Sequence, residues 1–159
     1  MKKKKKNLLF ALIFSLSLTE ITFTQVKTLD DFESSEGWNV FKADGVNLVI
    51  LTEAGLNGNA VRFDYDFTKG TGYGGIQKFF PIELPENFEF TFNFKAESPS
   101  NNFEIKFIDI TGNNVWWVNN RNYDFPKDWK KIRIKKGHIN FAWGPTEDHS
   151  LKRIDRIEF

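Results

Sequence analysis

The chain has 159 residues, about one domain's worth. Its 22 Lys and Arg nearly balance 21 Asp and Glu, but Lys2–Lys6 hold five of the cations and Glu20 one acid, so residues 25–159 keep 17 and 20, a net −3. That argues against a nucleic-acid binder held by bulk charge. The absence of cysteine excludes disulfide scaffolds, thiolate zinc sites and cysteine nucleophiles, and 18 Phe with 5 Trp exclude a disordered polar chain.

Residues 1–24 read as a secretory signal: the basic run Lys2–Lys6, the apolar Leu8–Leu18, then polar Thr19, Glu20 and Thr22. The 11-residue apolar run is short of the ~20 residues that span a bilayer, which sets aside a membrane anchor. Residues 25–159 are then one exported domain, secreted or periplasmic, and the lack of disulfides suits a bacterium.

Strand patterns dominate from there. Leu48–Leu51 is apolar throughout, which predicts a strand covered on both faces. Val61, Phe63, Tyr65 and Phe67 alternate with Arg62, Asp64 and Asp66. Phe88–Phe94 alternates four Phe with Glu89, Thr91 and Asn93. Phe103–Phe107, Ile132–Ile134 and Ile139–Trp143 follow the same rule, with Ile139, Phe141 and Trp143 expected on one face. Ile154–Phe159 is a last candidate, with Ile157 and Phe159 opposite Glu158. Turn residues fill the gaps, as at 55–58, 69–75, 98–102 and 111–114. Many short strands between such turns predict an all-β sandwich or barrel.

Catalytic chemistry is missing. His138 and His149 are unrelated in spacing, Glu104 with Asp109 reads as two surface acids, and Gly70–Gly75 lacks the Lys-Ser/Thr of a phosphate loop. The chain is not expected to be an enzyme.

The informative segment is the hairpin from Phe103 to Asn119. Opposed residues of a hairpin share a face. An even loop puts Glu104 and Lys106 with Trp117 and Asn119, and Phe103, Ile105 and Phe107 with Trp116 and Val118. The second set is apolar and belongs to the core, which leaves Trp117 on the polar face; an odd loop would swap the two tryptophans. A Trp there is either capped by a neighbouring loop or serves as a stacking platform. A ring beside hydrogen-bonding groups suits a sugar, and Glu104, Lys106, Asn119 and Arg121 supply those groups.

The motifs Asp31-Phe-Glu33, Gly37-Trp38, Gly72-Tyr-Gly-Gly75, Asn102–Lys106, Asn114-Val-Trp-Trp117, Asp128-Trp129 and Phe141-Ala-Trp-Gly-Pro145 together resemble galactose-binding-like β-sandwich domains of secreted bacterial carbohydrate-active proteins. Such domains often stand ahead of discoidin-type (coagulation factor five/eight type) or glycosidase domains. The resemblance implies a jelly-roll sandwich and non-catalytic binding of a polysaccharide or glycan, and brings Tyr73 into the candidate ligand set. It also implies a structural calcium. Asp31 and Glu33, two apart near the first strand, are its candidate ligands; ordinary surface acids are the other reading. Related domains continue past the Arg-Ile-Glu-Phe strand with a closing strand. Stopping at Phe159 therefore suggests either a piece of a longer protein or a sandwich lacking its last strand, whose open C-terminal edge would invite self-association. The competing functions are a secreted carbohydrate-binding module, a structural or protein-interaction sandwich cut from a larger cell-surface or glycosidase-associated protein, and a small glycan-active enzyme.

Overall fold

The computed structural model describes residues 26–159, so the leader read in residues 1–24 lies outside the described residues. The strands are β1 (Asn39–Lys42), β2 (Asn47–Ala54), β3 (Asn59–Asp66), β4 (Gly74–Glu83), β5 (Glu89–Phe94), β6 (Asn101–Ile108), β7 (Val115–Tyr123), β8 (Lys130–Lys135), β9 (Asn140–Trp143) and β10 (Arg153–Glu158). Every pairing is antiparallel. One layer is a six-stranded sheet in the order β1-β4-β10-β6-β7-β9. Two ribbons, β2-β3 and β5-β8, cover its inner face. Among the described residues no helix is long and apolar enough to cross a membrane.

The alternating Phe residues hold the layers together. Phe90 stacks on Phe107 at 4.9 Å between ring centroids and Phe94 on Phe103 at 5.0 Å, while Phe92 meets Phe159 edge-on at 5.3 Å. Each pair joins the β5-β8 ribbon to the large sheet, so strict alternation in two separate segments becomes one interlayer seam. A second cluster under β2-β3 gathers Trp38, Leu48 and Ile76, with Phe32, Ile50, Val61 and Phe63 against it.

Three expectations are corrected here. The segment Leu48–Leu51 is covered on one face only: Leu48 is buried, but Val49 and Leu51 are 54% and 43% exposed. β2 belongs to a two-stranded ribbon at the outside of the sandwich, and a ribbon with a single layer behind it has one inner face. The C-terminal strand is not an edge. β10 lies between β4 and β6 and pairs with both, and Ile154 and Ile157 are buried in the main core. Phe159 continues it, exchanging backbone hydrogen bonds with Ile76. The premise of self-association through an open C-terminal edge falls with that, as does the reading that this strand borders a missing one. Lastly, Trp143 does not share the face of Phe141, because β9 bulges against β7: Trp116 opposes Phe141, but Val115 opposes Trp143.

Trp116 shows what the core demands. It is 6% exposed, meets Phe141 edge-on at 5.5 Å, and its indole Nε1 donates to the His149 carbonyl at 2.6 Å. Trp116→Ala should lower unfolding free energy by roughly 3–5 kcal/mol through the cavity it leaves and the carbonyl it orphans. Denaturant titration of the purified variant checks this; a loss below about 1 kcal/mol would mean that the core closes over the gap.

Candidate functional site

The turn between β6 and β7 decides which tryptophan faces out. Ile108 opposes Val115, so the loop holds six residues and is even. Its geometry is fixed by Asp109. That carboxylate accepts from the Thr111 hydroxyl at 2.8 Å and from the Asn114 side-chain amide at 2.7 Å, and the Asp109 carbonyl accepts from the Gly112 amide at 3.0 Å. Gly112 sits at φ 73°, a left-handed conformation that glycine adopts without a steric penalty. Burial alone would push the Asp109 carboxyl up, but the hydrogen bonds from Asn114 and Thr111 outweigh it and hold it below the usual carboxylate range. The buried Asn114 also accepts from the Thr146 amide at 3.0 Å, which ties the loop after Trp143 to the same turn.

The even register puts Glu104 opposite Asn119 and Lys106 opposite Trp117, on the outer face of the six-stranded sheet. One row of opposed residues crosses all six strands: Asn39, Gln77, Glu158, Lys106, Trp117 and Asn140. A neighbouring row runs Phe79, Arg156, Ile108, Val115 and Trp143. The face therefore brings together Glu104, Lys106, Trp117 and Asn119 as the sequence implied. Arg121 follows two residues beyond Asn119 on the same strand and is exposed. Tyr73 is 60% exposed and lies 6.2 Å from Phe41, whose ring covers Gly75 on this same face. It stands three strands across at ~4.8 Å each and four residues along from Gln77 of the Trp117 row, roughly 20 Å from Trp117 in all, so it belongs to the far end of the face.

Sequence reasoning missed much of the aromatic surface. Trp117 is partly buried, with Trp143 meeting it edge-on at 5.6 Å. Trp143 is 48% exposed, and the Lys106 ammonium lies 5.7 Å from its ring centroid. Phe79, 59% exposed, has the Arg156 guanidinium 5.9 Å from its ring. The i, i+2 charges Arg156 and Glu158, ion-paired at 3.1 Å, mirror Glu104 and Lys106, also at 3.1 Å. That spacing in the last strand was the available signal. The result is a platform of rings with charge pairs between them. The Oδ1 of Asn119 is shielded from solvent with no hydrogen-bond partner among the described residues.

Asp31 and Glu33 are placed away from this platform. Asp30, Asp31 and Glu33 each accept a backbone N–H: from Phe32 at 2.7 Å, Glu33 at 3.1 Å and Asn59 at 3.0 Å. Asp30 also pairs with Lys78 at 2.6 Å. Among the described residues no group of three or more His, Cys, Asp or Glu is arranged to hold a metal. Glu33 holds the Asn59 amide through Oε2 and Asp31 holds the Glu33 amide through Oδ1, so each keeps one carboxylate oxygen outside these bonds. A cavity of about 550 Å³ beside Asp30 and Asp31 is lined by no aromatic ring and offers a sugar no stacking surface.

No protein-family model matches the chain, and no curated protein does. Solved structures do. A family 11 carbohydrate-binding module of the cellulosomal cellulase Lic26A-Cel5E of Clostridium thermocellum is 22% identical, with a TM-score of 0.63 over 84% of this chain and 82% of that one. A family 11 module from Clostridium thermocellum in complex with a β-1,3-1,4-mixed-linked tetrasaccharide is 20% identical, with a TM-score of 0.63 over 82% of each chain. A solution structure of such a module is 23% identical, with a TM-score of 0.60 over 84% of this chain and 83% of that one.

Two outcomes follow for the site's supports. Asp109→Ala should cost about 1–3 kcal/mol at pH 7 by leaving the turn's donors unpaired. The native carboxyl has the lower pKa, so its contribution is present above about pH 4 and is lost as pH falls through its depressed value. The stability gap between wild type and variant should narrow on acidification; a gap constant down to pH 2 would show that charge plays no part. Calorimetry with calcium on residues 26–159 decides between the two readings of Asp31 and Glu33: heat and a rise in Tm that Asp31→Asn abolishes would place the ion in that loop, and neither heat nor shift would leave the two as ordinary surface acids.

The likeness to these modules establishes the fold: the chain is a jelly-roll β-sandwich of the kind that carbohydrate-binding modules have.

Proposed function

We propose that the chain is an exported, non-catalytic carbohydrate-binding module that takes a glycan across the outer face of its six-stranded sheet. The observation that carries this reading is the row of rings on that face, Phe79, Trp117 and Trp143 with Tyr73 at the end, separated by the pairs Glu104–Lys106 and Arg156–Glu158. Sugars present apolar C–H faces to rings and hydroxyls to charged groups, so alternating rings and polar pairs match a chain of pyranoses. A structural neighbour holds a β-1,3-1,4-mixed-linked tetrasaccharide, which makes linear β-glucans the first ligands to test.

The same face supports binding without turnover. Its two central carboxylates, Glu104 and Glu158, are each ion-paired with a cation on their own strand. The histidines are engaged elsewhere: His138 Nδ1 accepts from the Lys135 amide, and the His149 ring stacks on Phe141 at 4.0 Å.

A glycan array on residues 26–159, followed by calorimetry, tests the reading. Binding of a neutral linear glycan without release of reducing ends is expected. Trp117→Ala and Trp143→Ala should each weaken it by on the order of 1–3 kcal/mol, about fivefold or more. The more exposed Trp143 should change Tm least. An array silent for every neutral glycan would overturn the proposal; retained affinity in the double variant would move the site off this face.

A further inference from the structure

The opposite side of the sandwich is a second chemical surface. Residues 127–136 hold six cations and one acid, although residues 25–159 as a whole are net −3. Period-two alternation turns them out of the core. In the β5-β8 ribbon, Phe90, Phe92, Ile132 and Ile134 face inward. Outward stand the opposed pairs Glu89 with Lys135, Thr91 with Arg133 and Asn93 with Lys131. One step further along, the Lys95 ammonium lies 5.1 Å from the ring centroid of Trp129.

The charges on this ladder are mostly unspent. Arg133 forks onto Glu89, at 3.0 and 3.1 Å. Lys95, Lys131 and Lys135 make no ion pair with a described residue, and Lys127 and Lys130 beside them are exposed. Alternate strand residues lie roughly 7 Å apart, so from Trp129 to Lys135 the cations form a line about 20 Å long. Such a line attracts a linear polyanion.

We propose that this face binds an acidic polysaccharide, one bearing carboxylate or sulfate groups, independently of the ring platform on the other layer. Thr91 and Asn93, exposed and uncharged between the cations, offer hydrogen bonds to sugar hydroxyls. A single-stranded nucleic acid needs successive rings for successive bases. This ladder has one ring, already under a lysine.

The test is affinity electrophoresis and calorimetry of residues 26–159 with polygalacturonate, dextran sulfate, a neutral linear β-glucan and a single-stranded DNA oligomer. The acidic glycans should bind at low salt and weaken at least about tenfold as salt rises to ~0.5 M, because exposed charges are screened. The triple variant Lys131→Gln, Arg133→Gln, Lys135→Gln should lose that binding at least tenfold and keep any neutral-glycan affinity. Lys131→Arg with Lys135→Arg should retain it, and Trp143→Ala should not affect it. Absence of acidic-glycan binding at low salt, or full affinity in the triple variant, would overturn the proposal. So would DNA binding as tightly as polygalacturonate at equal salt. None of these outcomes depends on whether the ring platform takes a neutral sugar.

Discussion

The six-residue turn at Asp109–Asn114 is the constraint on which the outer face depends. It fixes the parity of the β6–β7 pairing, and parity decides which of two adjacent tryptophans enters the core. A one-residue slip would bury Trp117 beside Phe107 and turn Trp116, with its hydrogen bond to His149, toward solvent. Both layers would suffer, so the register is strongly specified. The turn reaches further through Asn114, whose two side-chain atoms serve Asp109 on one side and Thr146 on the other. A single buried amide thus sets the spacing of the two segments that carry Trp117 and Trp143.

Local pattern makes much of this legible in the sequence. Alternation located β3, β5, β6, β8 and β9, and the apolar side of β6 sends Trp116 inward once the loop is even, a parity that the pairing of Ile108 with Val115 supplies. What pattern could not encode was strand order. Ile154–Glu158 reads identically as an edge or as a central strand, because period two reports facing and not neighbours. Its place between β4 and β6 follows from long-range pairing, which no local window contains. Leu48–Leu51 misled for a related reason. An apolar run signals two covered faces only where a layer lies on each side, and the β2-β3 ribbon has a layer behind it alone. Trp143 was missed because one bulge inverts parity beyond it.

A sheet face is a rigid ligand platform. Its rings stand on backbone that is already hydrogen-bonded on both sides and fixed from below by the Phe seam. In the binding proposed above, little backbone entropy would remain to be lost, and exposed aromatic side chains would lose only two rotatable bonds each. The ion pairs between the rings hold the polar groups in place at the same time. Partly exposed pairs such as Glu104–Lys106 contribute little to stability, a median of about 0–1 kcal/mol, so this pair matters more as positioned donors and acceptors than as a strut.

The two-layer architecture separates the two surfaces by necessity. Each layer has one face committed to the shared core, so any recognition chemistry must sit on an outward face. The large sheet spends its outward positions on rings and balanced charge; the β5-β8 ribbon spends its own on unbalanced cations. The surfaces point away from each other across the Phe seam, and a ligand on one cannot touch the other. A neutral polymer and an anionic one would then be held on opposite sides of a single domain. Each contact made alone can be weak and easily released, yet in a mixed matrix that offers both chemistries the second engagement is intramolecular, and retention rises by the effective concentration of the second polymer without any new contact.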